Sequence, residues 1–131
     1  GALGGLYTAL SAASQPLVAV VACDMPFVNA GILAQARDML AADDSLAAVI
    51  PRSGDGAEPF HAVYRRDACL PAVEQALNAD RWRVDSWFSQ VQLHFLAGEA
   101  LLALDPDRLA FWNVNTPQEL LQAEHLAANL E

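Results

Sequence analysis

The sequence predicts an α/β fold with a mostly parallel sheet. Apolar segments of strand length alternate with segments of helical periodicity along the chain. The clearest strand, residues 17–22, is an uninterrupted apolar run rich in valine, which is typical of a strand covered on both faces. The 131 residues show no internal repeat and no long linker, so a single domain over residues 1–131 is expected.

The N-terminal part is predicted to form a helix, then this strand, then a second helix. Leu6 and Leu10 recur at helical spacing, so the first helix is expected to begin near Gly5 and to end before Pro16. Asn29 is a suitable N-cap for the second helix. The apolar stripe expected on that helix consists of Ile32, Leu33, Ala36, Met39 and Leu40.

The middle of the chain is predicted to hold two strands and a helix. Residues 46–50 form a second apolar run, which Pro51 is expected to end. Residues 52–59 combine glycine, serine, aspartate and proline, a composition that predicts a loop. A short strand over residues 60–64 is expected next, followed by a helix with Asp67 as its N-cap.

The C-terminal part is predicted to contain one or two strands and a closing helix. Residues 91–96 alternate in polarity, as a half-buried strand does, and residues 111–114 are a second candidate strand. Thr116, Pro117 and Glu119 occupy the N-cap, N1 and N3 positions of a capping box, so the last helix is expected to begin there.

The composition argues against nucleic-acid and membrane partners. The net charge is −9 and all seven basic residues are arginine, so the chain lacks the basic stripe that duplex nucleic acid requires. No apolar run reaches the roughly 18 residues that span a bilayer. Cys23 and Cys69 form neither a disulfide framework nor a C-x-x-C pair, which favours a reducing, cytoplasmic location.

Asp24 is the principal candidate functional residue. It directly follows the apolar run of residues 17–23, and ligands of open parallel sheets bind beyond the carboxyl ends of the strands. Pro26 turns the chain sharply after it. A carboxylate in this place suits Mg²⁺, which takes one or two carboxylates together with phosphate oxygens. The alternative is that Asp24 only caps the following turn.

Glycines near the start and two asparagines near the end are further candidates. Gly1, Gly4 and Gly5 precede a predicted helix, where backbone N–H groups can approach a phosphate closely, although a simple connecting turn is the alternative. Asn113 and Asn115 point the same way in an extended segment, so both can bond the polar edge of a ligand. The alternative here is an Asx turn that initiates the last helix.

Two arginine pairs are the only basic clusters. Arg65 and Arg66 are either a bidentate clamp for an anion or solvated residues at the start of a helix. Arg81 and Arg83 flank Trp82. The three histidines have no metal-ligand spacing, so a zinc site is not predicted.

Five segments together resemble the molybdenum cofactor guanylyltransferase family, a group of MobA-like nucleotidyltransferases. The C-D-x-P element around Asp24 and the N-x-N-T-P element that begins at Asn113 form a fairly specific pair, and all five segments occur in the family's order. They are residues 1–6 (GALGGL), 20–27 (VVACDMPF), 58–66 (EPFHAVYRR), 81–84 (RWRV) and 111–117 (FWNVNTP).

The resemblance implies a Rossmann-like three-layer sandwich, the fold of nucleotide-diphospho-sugar transferases. It also implies transfer of GMP from GTP to the terminal phosphate of molybdopterin (Mo-molybdopterin). It implies that Asp24 holds Mg²⁺, with Mn²⁺ as the alternative ion, and that Gly1 and Gly5 belong to a glycine turn on the guanine-nucleotide side. A molybdoenzyme or its chaperone is a further implied partner. The residues implied on the pterin side are Arg83, Asn113 and Asn115.

The resemblance also implies that the chain is N-terminally incomplete. Family members begin with a strand and a glycine-rich L-A-G-G loop whose arginine and lysine hold the triphosphate, and this loop is not among the 131 residues. The chain is then the C-terminal two thirds of one MobA-like domain, with an unpaired sheet edge. Two alternatives to GMP transfer stay open: an inactive remnant that serves as a binding or assembly module for a molybdoenzyme, and a related transferase that uses CTP.

Overall fold

The computed structural model describes residues 1–130 as an alternation of helices and strands. No helix in this range is long and apolar enough to cross a membrane. The helices are α1 (Ala2–Ala12), α2 (Ala30–Ala42), α3 (Arg66–Asn78), α4 (Gly98–Leu104) and α5 (Pro117–Leu130). The strands are β1 (Leu17–Val21), β2 (Ala48–Ser53), β3 (Gly56–Ala57), β4 (His61–Arg65) and β5 (Leu93–Leu96).

The sheet has the strand order β1-β4-β2-β5, and β3 pairs with the second half of β2. β4 is antiparallel to both β1 and β2, whereas β2 and β5 are parallel. The α/β class is confirmed, but the expectation of a mostly parallel sheet is corrected. Only residues 54–60 connect β2 to β4, and a parallel pairing needs a crossover of a dozen or more residues.

Two apolar clusters cover the two faces of the sheet, which gives the expected three layers. Ala62 and Tyr64 of β4 pack into one cluster with α1 and α3. Val63, which points to the opposite face, packs into the other cluster with α2 and α4. This alternation follows from the period of two along a strand.

β1 is an edge strand among the described residues. Along its pairing with β4, Leu17 lies opposite Arg65 and Val21 lies opposite His61. No strand within residues 1–130 pairs with the other edge of β1. Ala19 is exposed, and an apolar groove of about 690 Å³ lies between β1 and α2. The prediction that both faces of this strand are covered is therefore corrected.

Helix α1 begins earlier than predicted, and the expected turn at its start is part of the helix. It starts at Ala2 and includes Gly4 and Gly5, although a glycine costs about 1 kcal/mol relative to alanine within a helix. Burying one leucine contributes about 1.5–3 kcal/mol, so three buried leucines outweigh this cost. The leucines, each 0% exposed, are Leu3, Leu6 and Leu10.

The segment expected to be a loop over residues 52–59 is partly a β-hairpin. β2 continues through Pro51 to Ser53 and turns into β3. Proline has no N–H group to donate, but the Pro51 carbonyl accepts a hydrogen bond from the Glu58 N–H at 2.8 Å. Pro51 therefore does not end the strand.

Four further comparisons with the predicted elements concern the C-terminal half. Arg65, not Asp67, is the N-cap of α3, and Asp67 lies in the first turn. Residues 111–114 are not a strand, and α4 was not predicted because seven residues are too few to show a helical period. Thr116 caps α5 as predicted: its Oγ1 accepts a hydrogen bond from the Glu119 N–H at 3.1 Å.

Candidate functional site

Asp24 lies in a turn at the carboxyl end of β1. The Met25 N–H closes this turn by donating to the Ala22 carbonyl at 3.2 Å, so the chain bends away directly after the strand. Asp24 is half-buried, and no described residue donates a hydrogen bond to its carboxylate. A carboxylate with free oxygens at a sheet end is able to take an external ligand.

The two asparagines lie beside Asp24. The Val114 N–H donates to the Asp24 carbonyl at 2.7 Å, which joins segments that are 90 positions apart in sequence. Asn113 and Asn115, on either side of Val114, are exposed. This bond brings the carboxylate and the two amide side chains, singled out separately in the sequence, into one neighbourhood.

Asn29 fixes the other end of the loop that carries Asp24. Its side-chain oxygen accepts from the Ile32 N–H at 2.9 Å, which confirms it as the N-cap of α2. Its side-chain nitrogen donates to the Leu104 carbonyl at 2.8 Å. Its backbone N–H donates to Nε2 of His61 at 3.1 Å. Every polar group of the Asn29 side chain is thus engaged.

His61 is a buried residue that sequence reasoning did not identify as part of the site. Its side chain is 0% exposed, and its Nε2 accepts a hydrogen bond, so the ring is neutral with its proton on Nδ1. Burial lowers the pKa of His61, against the opposing effect of the nearby Asp105 carboxylate. No sequence signal marks this role, because it depends on contacts between distant segments.

The lowered pKa of His61 predicts a stability loss in mild acid. Between the folded-state pKa and the usual value of 6.5, the unfolded chain binds more protons than the folded one, so the free energy of unfolding falls as pH drops through this window. We expect wild type to lose more stability than His61→Gln between pH 7.5 and pH 5 in urea titrations. His94→Gln, which removes an exposed histidine, is the matched control. Identical pH profiles for wild type and His61→Gln would contradict this assignment.

Arg83 lies in the turn after α3 and is engaged with a neighbouring carboxylate. Its Nε and Nη2 donate to the two oxygens of Asp85, each at 3.1 Å. These hydrogen bonds lower the pKa of Asp85 and raise that of Arg83. Both groups face solvent, so an anionic ligand is able to replace Asp85. No hydrogen bond within residues 1–130 joins Arg83 to Asp24.

The topology places the turn of Arg83 and the start of α1 at the same end of the sheet as Asp24. The Arg66 N–H, at the start of α3, donates to the Pro16 carbonyl just before β1, and its Nε donates to the Leu10 carbonyl near the end of α1. α1 and α3 are therefore antiparallel, and the N-terminus of one lies near the C-terminus of the other. The start of α3 and the end of α1 lie where β1 begins, so the start of α1 and the end of α3 lie where β1 ends.

Gly1 and Gly5 lie at the start of α1 and do not form a separate glycine turn. The Gly5 N–H donates to the Gly1 carbonyl at 3.0 Å, which is the first hydrogen bond of the helix. A β-carbon at either position would meet no described atom within 4 Å. Neither glycine is therefore required for packing within the described chain, and this surface is open.

Arg65 and Arg66 are structural and do not form an anion clamp. Arg65 donates to the carbonyls of Leu46 and, at the C-terminal end of α2, of Leu40 and Asp43. Arg66 binds the Leu10 carbonyl in the same manner at the end of α1. Positive charge near the last carbonyls of a helix interacts favourably with the helix dipole, so both arginines cap helix C-termini.

The other titratable groups that the structure describes form no complete catalytic or metal centre. Residues 1–130 contain no group of three histidine, cysteine or acidic side chains placed to hold a metal ion. Burial raises the pKa of the Cys69 thiol to about 12, so it is not a nucleophile. Glu58 is half-buried, and burial raises the pKa of its carboxyl group although the Ser53 hydroxyl donates to it at 2.9 Å.

Comparisons with known proteins agree on one family. Residues 1–93 match the MobA-like NTP transferase domain. A probable molybdenum cofactor guanylyltransferase of Pelotomaculum thermopropionicum is 36% identical over 98% of the chain and 61% of its own length. The molybdenum cofactor guanylyltransferase of Desulfosudis oleivorans is 32% identical over 95% of the chain and 60% of its own length.

A solved structure supports the same assignment. Molybdopterin-guanine dinucleotide biosynthesis protein A of Archaeoglobus fulgidus superimposes with a TM-score of 0.79 at 27% identity, over 98% of this chain and 64% of that one. The chain thus spans about three fifths of the length of the curated relatives that it matches. The match over residues 1–93, supported by the agreement of sequence and fold, shows that the chain belongs to the MobA-like NTP transferase family.

Proposed function

We propose that this chain forms the metal-binding and pterin-side part of an enzyme that transfers GMP from GTP to molybdopterin and releases pyrophosphate. The observation that supports this most directly is the hydrogen bond from the Val114 N–H to the Asp24 carbonyl. It joins the backbone of Asp24, whose carboxylate no described residue binds, to that of Val114, which the exposed Asn113 and Asn115 flank. The joined segments lie at the end of the sheet where α/β enzymes bind ligands.

The side chains around Asp24 suit Mg²⁺ better than a transition metal. They are oxygen donors: one carboxylate and two amides, with no histidine or thiolate cluster within residues 1–130. Mg²⁺ is commonly held by one or two carboxylates and completes its shell with water and phosphate oxygens. Asp24 would hold the ion, with Mn²⁺ as the alternative. The bound ion would neutralise charge on the reacting phosphates.

The other proposed site residues bind and orient the two substrates. Asn113 and Asn115 each offer one amide donor group and one acceptor, which suits the polar edge of a pterin. Arg83 would exchange Asp85 for a phosphate, which accepts the same two parallel hydrogen bonds. Gly1 and Gly5 would face the nucleotide at the start of α1, where the N–H groups of residues 2–4 precede the first hydrogen bond of the helix and favour an anion. We place the activity in the cytoplasm, with a molybdoenzyme or its chaperone as the recipient of the product.

Transfer of labelled nucleotide tests this function. We expect the enzyme to form a guanine dinucleotide from molybdopterin and labelled GTP, with release of pyrophosphate, and we expect chelation of Mg²⁺ by EDTA to stop the reaction. Restoring Mg²⁺ is the control for damage by EDTA. Product formed from CTP but not from GTP would indicate a cytidylyltransferase. Molybdopterin binding without any product would favour an inactive binding module.

A further inference from the structure

The loop that carries Asp24 and the segment that carries the two asparagines run side by side in opposite directions. We call residues 24–29 the Asp24 loop and residues 111–115 the asparagine segment. Their first link is the hydrogen bond from the Val114 N–H to the Asp24 carbonyl, at 2.7 Å. This link alone fixes one end of each segment.

Two aromatic links follow along the same boundary. The rings of Phe27 and Trp112 are stacked, with centroids 5.8 Å apart and planes 7° apart. Buried His61 binds Asn29 through the 3.1 Å hydrogen bond and meets Phe111 edge to face, with centroids 5.4 Å apart. From residue 24 to residue 29 of the loop, the residue numbers of the contacts in the asparagine segment decrease from 114 to 111. The links therefore form one continuous seam.

We propose that this seam makes the Asp24 loop and the asparagine segment a single unit, with Phe27 and Trp112 as its positioning residues. They act through the backbone of Asp24 and Val114, since neither ring is itself a metal or phosphate ligand. The proposal rests on the proposed function in one respect. Because the seam joins the two segments, a first ligand held by Asp24 favours the binding of a second ligand at Asn113 and Asn115. Such coupling is reciprocal, so the second ligand favours the first to the same degree.

Hydrogen exchange at the Val114 amide measures the seam without any assay of activity. We expect this amide to exchange about two- to tenfold faster in Phe27→Leu and in Trp112→Leu, the range that loss of one aromatic pair predicts. Trp112→Phe keeps a ring for stacking and should exchange at close to the wild-type rate. The amides of β4 report whether each variant retains the folded sheet.

Phe88→Leu is the matched control for these variants. Phe88 is also half-buried and contacts Trp87 edge to face, with centroids 5.2 Å apart, but it belongs to the cluster on the other side of the sheet. We expect it to leave Val114 exchange unchanged. An equal acceleration in Phe88→Leu, or none in the two seam variants, would overturn the proposal.

Adding Mg²⁺ with GTP separates this inference from the function on which it rests. If calorimetry detects GTP binding, the ligand should slow Val114 exchange in wild type and slow it less in Trp112→Leu. Binding that leaves Val114 exchange unchanged would overturn the coupling. If no GTP binds to the enzyme of which this chain forms part, the proposed function fails, and the exchange difference between the unliganded variants still decides whether the seam exists.

Discussion

Asp24→Ala is expected to abolish GMP transfer while leaving the fold intact. The substitution removes the one carboxylate that residues 1–130 are proposed to contribute to the metal site, and electrostatic stabilisation by a bound metal contributes several kcal/mol in phosphoryl transfer. We therefore expect the initial rate, measured with labelled GTP and saturating Mg²⁺, to fall by about a thousandfold or more. Asp24→Asn keeps the shape of the side chain and should lose nearly as much, because it lacks the charge.

The fold should tolerate this change, since no described residue hydrogen-bonds to the Asp24 carboxylate. We expect the free energy of unfolding to change by about 0.5 kcal/mol or less. Asp38→Ala is the matched control: it removes an exposed aspartate of α2 that pairs, among the described residues, only with Arg37, at 3.0 Å. Undiminished turnover by Asp24→Ala would remove the metal assignment and leave only the fold.

Trp87→Ala is expected to cause the largest loss of stability of any single substitution discussed here. The Trp87 side chain is 0% exposed and packs against Tyr64 and Phe88, with ring centroids 6.1 Å and 5.2 Å away. Truncating a buried tryptophan leaves a cavity and costs about 3–5 kcal/mol. This is a large share of the roughly 5–15 kcal/mol that stabilises a typical domain. Urea unfolding followed by circular dichroism measures the loss.

Trp82→Ala is the control for this substitution. Trp82 is five positions earlier in the same connection but is 65% exposed, so its removal should change the free energy of unfolding by about 0.5 kcal/mol or less. The anchored Trp87 and the exposed turn around Arg83 are close in sequence. We therefore expect Trp87→Ala also to disorder this turn. Equal stability losses in the two variants would show that Trp87 does not anchor the core.

The sequence was most informative where the signal is local. The apolar run before Asp24, the N-cap at Asn29 and the N-cap at Thr116 each depend on residues within one or two turns of the chain, and the structure contains all three elements. The apolar run also places Asp24 correctly at the carboxyl end of β1. Local chemistry therefore decides where these elements begin and end.

The features that were missed depend on contacts between distant segments. Burial of Leu3 extends α1 across Gly4 and Gly5, although glycine propensity alone predicts a later start. Residues 111–114 have the composition of a strand, but they bind the loop after β1 through one backbone hydrogen bond and aromatic contacts. His61 owes its role to Asn29, which is 32 positions away. No local pattern encodes such pairings.

The edge of β1 that no strand within residues 1–130 covers has a consequence for handling this chain in solution. Unpaired backbone groups on an edge strand accept any extended segment that reaches them, including the same edge of a second copy. The net charge of −9 opposes such encounters, and this repulsion extends only about 10 Å in 0.1 M salt. Colloidal stability should therefore depend on ionic strength. At low salt concentration the repulsion keeps copies of the chain apart, whereas high salt and high protein concentration promote precipitation.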